Sequence, residues 1–117
     1  MSTDITAITD YHAHVYYDPE DPTSRARAEE LRAAVESRFR ARMGSWHDRP
    51  VGPHTVAMYQ IAFAIEEFPT LVPFLMLNRQ DLTVLVHPET GRAKDDHLRH
   101  AMWMGEVLPI NASVLKT

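Results

Sequence analysis

An alternation of polar and apolar side chains over residues 11–17 constrains the fold of this chain more than any other feature. The segment reads Tyr-His-Ala-His-Val-Tyr-Tyr, and its aromatic and β-branched content with a period of two predicts a strand. Such a strand places His12, His14 and Tyr16 on one face of a sheet. The other face receives the remaining side chains: Tyr11, Ala13, Val15 and Tyr17. One face is therefore rich in imidazole, and the other is suited to a hydrophobic core.

The following segment predicts a helix that begins after Asp21 and ends at Gly44. Asp21 is a suitable N-cap, and Pro22 suits the first helical position. Apolar residues recur every four positions along an otherwise charged segment: Leu31, Val35, Phe39 and Met43. Gly44 is a typical C-terminal stop.

The rest of the chain predicts two further helices and at least three strands. We expect strands at 45–49, 56–63 and 82–86, a helix within 65–79 that starts near Pro69, and a short helix from Asp95 or Asp96 through Trp103. A turn is expected at 87–91. The order of the main elements is the βαββαβ pattern of a ferredoxin-like α+β sandwich, with an antiparallel sheet, both main helices on one face and the other face open. Within it we expect the first and third strands to be central and parallel.

Length and composition indicate one soluble globular domain. The 117 residues fit a single domain, with an N-terminal tail at 1–9 and a C-terminal extension at 106–117. The chain has no cysteine, so any metal must be held by nitrogen and oxygen ligands. A net charge of −4, the lack of a signal peptide and the lack of a long apolar run argue against nucleic acid and membranes, so we expect a cytoplasmic protein.

Four histidines in three separate segments are predicted to meet at one edge of the sheet. His12 and His14 lie on the first strand, His54 precedes the third, and His87 ends the fourth. Clustered imidazoles indicate a metal site or an acid–base site. Two other interpretations stay open at this point: each ring could bond a backbone carbonyl, or the rings could line a metal-free dimer interface.

Three more histidines lie outside this predicted cluster. His97 and His100 are three residues apart and fall on one face of the C-terminal helix. Both could be exposed to solvent, but His97 follows two aspartates and could act as an acid or a base. His47 is expected at the surface.

Five motifs in register resemble the DOPA 4,5-dioxygenase family. They occupy residues 11–18, 50–54, 75–79, 86–91 and 96–105. The resemblance covers nearly the whole chain, from about Tyr11 to Leu108. It implies a ferredoxin-like chain, a homodimer, that opens the ring of a catechol such as DOPA with O2.

Extradiol ring cleavage needs a ferrous ion with open coordination positions, held by three ligands on one side. We expect His14, His54 and His87 to be the ligands, with His12 as a fourth ligand or a base and His97 as an acid or base. A set that includes Glu89 stays open. Zn could substitute for Fe(II) in a purified sample.

Substrate binding is assigned to three further residues. Arg79 could pair with a substrate carboxylate, although a surface salt bridge would also explain it. Tyr16 and Trp46 could form the wall of an aromatic pocket, and each could equally belong to the core. Two other functions remain open: a metal-free dimeric module that binds a small ligand, and a non-oxidative zinc enzyme.

Overall fold

A computed structural model describes residues 3–117 of the chain. Its strands are β1 (Asp10–Tyr16), β2 (Ala41–Met43), β3 (Met58–Phe63), β4 (Val84–Glu89) and β5 (Met102–Met104). Its helices are α1 (Pro22–Arg38), α2 (Phe68–Asn78) and α3 (Ala93–Leu98). Short 3-10 turns occur at Ile5–Ala7, Ile65–Glu67 and Ala112–Val114.

The strands form one sheet in the order β2-β3-β1-β4-β5, and every neighbouring pair is antiparallel. The first four strands have the order and connections of the predicted ferredoxin-like α+β fold, and β5 adds a fifth strand beside β4. The expected parallel pairing of the first and third strands was wrong. β3 lies between β1 and β2 and follows β2 directly, so it runs opposite to both neighbours. The start of β3 therefore lies beside the end of β1, where Tyr16 pairs with Met58.

Helix α1 begins as predicted and ends earlier. Asp21 caps it by accepting a hydrogen bond from the Thr23 amide, and Pro22 is its first residue. The helix stops at Arg38, and Met43 lies in β2 rather than on the helical stripe. The backbone from residue 41 onwards is taken up by pairing with β3, which also accounts for the edge strand lying at 41–43 instead of 45–49.

The predicted C-terminal helix is split into two elements. Helix α3 ends at Leu98, and Trp103 lies in β5, where it pairs with Leu85 of β4. The helical prediction failed because the edge of β4 offers unpaired backbone groups that a strand can satisfy. The expected turn at 87–91 also starts late, since β4 continues to Glu89. Pro88 is tolerated there because β5 pairs only with Val84–Val86 and leaves that end of β4 as a free edge.

The two faces of the sheet carry different clusters, as the alternation predicts. The helical face holds the main core, where α1 and α2 cover side chains that include Ala13, Val15, Tyr59, Ile61, Val84 and Val86. The opposite face has a smaller cluster centred on Tyr16, Met58 and Leu85. Loops and the C-terminal segment cover it, with Val51, Val56, Ala101, Trp103, Leu108 and Ile110 packed around the edge.

Two leucines test how much the helical layer contributes to stability. Leu31 on α1 is 1% exposed, whereas Leu77 on α2 is 86% exposed. Leu31→Ala should lower the free energy of unfolding by about 2–5 kcal/mol, because it removes buried apolar atoms and leaves a cavity. Leu77→Ala, the same substitution, should change it by less than about 0.5 kcal/mol. Urea denaturation measures both, and equal losses would contradict this assignment of the core.

Candidate functional site: a cluster of buried histidines

The histidines predicted to converge do so on the face of the sheet that α1 and α2 leave uncovered. His12 and His14 project from β1, and His87 projects from β4, where its position is paired with that of His12. His54 lies in the loop before β3, and His97 lies on α3.

The way in which the rings meet differs from the prediction. Because β1 and β3 are antiparallel, His54 lies near the second half of β1, beside His14 and Tyr16, rather than near His12. The rings of His14 and His54 are 4.1 Å apart. The cluster consequently lies across the middle of the face and not along one rim.

The ring nitrogens fall into two overlapping groups that could each hold a metal ion. One group contains His12, His14 and His87, and one ring nitrogen from each lies within 4.8 Å of the other two. The other, formed by His14, His54 and His97, meets the same criterion. His14 belongs to both, and its Nε2 is 3.0 Å from Nε2 of His87. The predicted ligands His14, His54 and His87 are therefore divided between the two groups.

Backbone carbonyls fix the orientation of two of the rings. Nδ1 of His87 donates to the carbonyl of Pro88 at 3.0 Å, and Nδ1 of His97 donates to that of Ala93 at 2.8 Å. In a neutral imidazole the other nitrogen then keeps its lone pair. Nε2 of each ring is thus available to an ion or a proton.

Burial keeps the central imidazoles uncharged. Loss of solvent, together with repulsion from His54, His87, His12 and His97, holds the pKa of His14 well below its usual value. Burial and the neighbouring His97 also lower the pKa of His54 to about 4. For His87, burial and His97 lower the pKa to about 3, against the opposing effects of the Pro88 hydrogen bond and the Asp96 charge. Neutral imidazole is the form that binds metal.

A carboxylate lies directly behind the first group. Glu89 is two residues beyond His87 on β4, and its Oε1 is 3.0 Å from Nδ1 of His12 and 3.8 Å from Nδ1 of His87. Burial raises the pKa of Glu89, and the charges of Asp10 and Asp96 raise it further. A carboxylate that accepts from the second nitrogen of a histidine is a frequent neighbour of protein metal ions.

Tyr16 is the one predicted substrate-binding residue that lies in the cluster. Its hydroxyl is 2.7 Å from Nδ1 of His54, and its ring stacks on Trp103 at 5.8 Å. Burial raises the pKa of Tyr16, so the phenol stays protonated.

Arg79 and Trp46 are not brought to the histidines. Trp46 packs on the helical face against Arg25 and Tyr59. Arg79 follows the end of α2 and donates to the carbonyl of Leu82. Their roles in substrate binding stay predictions.

The loop that carries His54 is fastened by the C-terminal segment. His54 forms a backbone bridge with Ile110, and the amide of Asn111 donates to the carbonyl of Pro53 at 2.8 Å. The hydroxyl of Thr55 donates to the carbonyl of Pro109 at 2.8 Å. His54 therefore gains a fixed position although it lies outside the strands.

A cavity of 430 Å³ opens elsewhere, beside the free end of β4. It touches His87, but Tyr11, Phe68, Val86 and Met102 in its lining belong to the helical side of the sheet. The imidazole cluster lies on the opposite side. No helix in residues 3–117 is both long and apolar enough to cross a membrane.

Comparison with known proteins identifies the family. A model of the Dopa 4,5-dioxygenase family matches residues 11–114. The chain belongs to the DOPA 4,5-dioxygenase family. The crystal structure of a "putative dioxygenase" from Nostoc punctiforme superimposes with a TM-score of 0.92 at 43% identity, and the match covers 97% of this chain and 96% of that one.

Two curated fungal proteins are also similar to this chain. An uncharacterised 21.2 kDa protein of Botryotinia fuckeliana is 35% identical over 91% of the chain and 63% of its own length. The DOPA 4,5-dioxygenase of Amanita muscaria is 32% identical over 92% of the chain and 50% of its own length. The chain thus spans between half and two thirds of the length of these relatives.

The lowered pKa values predict a specific loss of stability in acid. Below about pH 6.5 histidines bind protons in the unfolded chain, whereas His54 and His87 stay neutral in the folded cluster. The free energy of unfolding therefore falls as the pH is lowered. For the metal-free protein each of these two imidazoles contributes about 2 kcal/mol, so we expect a fall of about 4 kcal/mol between pH 7 and pH 5. Urea denaturation at both pH values measures it.

His54→Asn should reduce that acid-induced fall, because one buried imidazole is removed. His100→Asn is the matched control, since His100 is exposed beyond the end of α3, and it should leave the fall unchanged. A protein equally stable at pH 7 and pH 5 would contradict the burial of neutral imidazoles.

Proposed function

We propose that the protein is an extradiol-type ring-cleaving dioxygenase that acts on a catechol, such as DOPA, with O2 and a histidine-bound non-haem Fe(II). The observation that carries the proposal is the cluster of buried, uncharged imidazoles in a chain of the DOPA 4,5-dioxygenase family. The homodimer and the cytoplasmic location expected from the sequence also remain proposals.

The donor atoms fit a divalent transition metal. Nδ1 of His14 is buried and has no hydrogen-bond partner in the described structure, so no protein group fixes which of its two nitrogens carries the proton, and either can serve as a ligand. Nε2 atoms of His14 and His87 face each other at 3.0 Å, an arrangement that one shared ion would accommodate. Imidazole suits Fe, Zn, Cu and Ni, and extradiol cleavage of a catechol would require Fe(II) among them.

We assign the ion to His12, His14 and His87. His12 and His87 have the partners that metal-bound histidines usually have, namely a carboxylate from Glu89 and the Pro88 carbonyl. The side chain of His12 is 21% exposed, so this group has the more accessible flank. The assignment replaces His54 of the sequence-based set with His12, because His12 shares a group with both His14 and His87, whereas His54 shares one with His14 and His97.

The residues on the other side of His14 are assigned to the substrate. A bound ferrous ion would supply open positions for oxygen ligands and the redox chemistry that ring cleavage requires. Nε2 of His97 can accept a proton from a catechol hydroxyl, since its Nδ1 is held by Ala93. Tyr16 holds His54 in place and, with Trp103, presents an aromatic wall.

Reconstitution with Fe(II) tests the activity. Metal-free protein loaded anaerobically with Fe(II) should consume O2 only when a catechol is added, and it should form a yellow ring-opened product. An oxygen electrode and absorption spectroscopy measure the two outputs. Zn(II)-loaded protein serves as the control and should consume none, because zinc has no redox chemistry.

The outcome also separates the competing functions. Tight binding of zinc with no oxygen uptake in the iron-loaded protein would favour a non-oxidative zinc enzyme. No metal binding at any pH would favour the ligand-binding module, and either result would overturn the dioxygenase.

Single substitutions test which histidines hold the ion. His14→Ala and His12→Ala should abolish stoichiometric Fe(II) binding, whereas His54→Ala should retain it, because only the first two belong to the assigned group. His100→Ala is the control for loss of an exposed imidazole. Calorimetric titration measures binding, and circular dichroism confirms that each variant is folded. Loss of binding in His54→Ala with retention in His12→Ala would move the ion to the second group.

A further inference from the structure

Asp96 is a buried carboxylate whose charge has no counterpart among the described side chains. It is 1% exposed, on the first turns of α3. Its two oxygens accept hydrogen bonds from the amide of Thr90 at 2.8 Å and from the hydroxyl of Thr90 at 2.6 Å. Among residues 3–117, no Lys, Arg or His nitrogen forms an ion pair with it within 4.0 Å.

The two hydrogen bonds do not explain why this residue is charged. They connect α3 to the turn after β4, and this helps to hold the ring of His97 4.0 Å from that of His87. An asparagine could keep both contacts without charge, since its oxygen would accept from the Thr90 amide and its NH2 group would donate to the Thr90 hydroxyl oxygen. A buried carboxylate is costly unless a positive charge offsets its desolvation. A cation close by is therefore expected to offset the desolvation cost of this negative charge.

The histidine cluster is where such a cation is expected. Asp96 directly precedes His97, and its partner Thr90 directly follows Glu89. The charge of Asp96 raises the pKa of both His87 and Glu89, although burial keeps the pKa of His87 low overall. A divalent ion in the cluster would offset the repulsion between these two carboxylates, since the buried imidazole of His87 carries no charge that could do so.

Besides Asp96, the charged groups around the first group are Asp10, Glu89 and Arg42. Asp10 and Glu89 flank His12, and Arg42 approaches Asp10 at 3.9 Å, where its own side chain is 83% exposed. Arg42 can therefore offset Asp10 only weakly. An all-imidazole ligand set contributes no charge, so the ion would depend on carboxylates outside that set for neutralisation.

We propose that Asp96 is a positioning residue whose negative charge stabilises a divalent ion in the histidine cluster without coordinating it. The inference rests on the metal-binding part of the proposed function and not on the reaction. It assigns Asp96 a role that a neutral hydrogen-bond acceptor cannot fill. Together with Glu89 and Asp10 it would contribute the negative charge that balances the ion.

Asp96→Asn removes the charge while keeping the shape of the side chain and groups that can bond to both the amide and the hydroxyl of Thr90. Anaerobic calorimetric titration of the full chain with Fe(II) should show an affinity at least tenfold lower, roughly the effect expected for a residue just outside the ligands. The stability of the metal-free variant in urea should be equal to or higher than that of the parent chain, because a buried charge has been removed. A purely structural role predicts the reverse: lower stability and unchanged affinity.

Two further variants serve as controls. Asp95→Asn makes the same charge change one residue away, at a carboxylate that is 35% exposed and 3.6 Å from Arg99, and should leave both quantities unchanged. Thr90→Val removes the hydroxyl but keeps the Asp96 charge. It should lower stability and leave the Fe(II) affinity within about threefold of the parent, and an affinity loss in Thr90→Val as large as in Asp96→Asn would overturn the proposal.

Fe(II) binding and O2 consumption test the two proposals separately. A parent chain that binds Fe(II) in an Asp96-dependent way but consumes no O2 with any catechol would overturn the dioxygenase and support the present inference. Equal Fe(II) affinities for the parent and Asp96→Asn would overturn the inference and leave the dioxygenase intact. A parent chain that binds no Fe(II) would overturn both.

Discussion

The position of β1 between two antiparallel neighbours is the constraint on which the whole site depends. Its pleat sends Ala13 and Val15 into the main core and sends His12 and His14 to the opposite face. A slip of one residue in register would expose the apolar set and push imidazoles among the core side chains of α1 and α2. The hydrophobic layer on one side thus holds the histidines in place on the other. Packing against α1 and α2 on one face therefore fixes the positions of the imidazoles on the opposite face.

Much of the fold follows from periodicity and capping. The alternation at 11–17, the Asp21–Pro22 start of α1 and the order of the main elements were enough for the ferredoxin-like class. Strand direction and the small elements were harder, since they depend on pairing between distant segments. Met43 fits a helical stripe, and the region up to Trp103 fits a helix, until β3 and β4 compete for the same backbone groups. Local propensity is a weak guide where a sheet edge needs a partner.

The candidate site was predictable where residue type and strand parity agree. His12, His14 and His87 share a face by counting alone, and Glu89, which was left open as a ligand, lies two residues beyond His87 on the same strand. His54 needed the loop geometry and the true direction of β3. No sequence signal marked Asp96 as buried, since its environment is created by Thr90 and the turn after β4. Trp46 and Arg79 are of types that often line pockets, but tertiary packing places them away from the imidazoles.

The attachment of the His54 loop to Pro109, Ile110 and Asn111 has a consequence for biosynthesis. During translation the sheet strands β1, β3 and β4 emerge from the ribosome before these anchors exist. His54 therefore reaches its final place only after residue 111 has been made, and the second group of nitrogens is complete only then. The first group, to which the ion is assigned, needs only the pairing of β4 with β1, so the residues assigned to the substrate are the last part of the site to be completed.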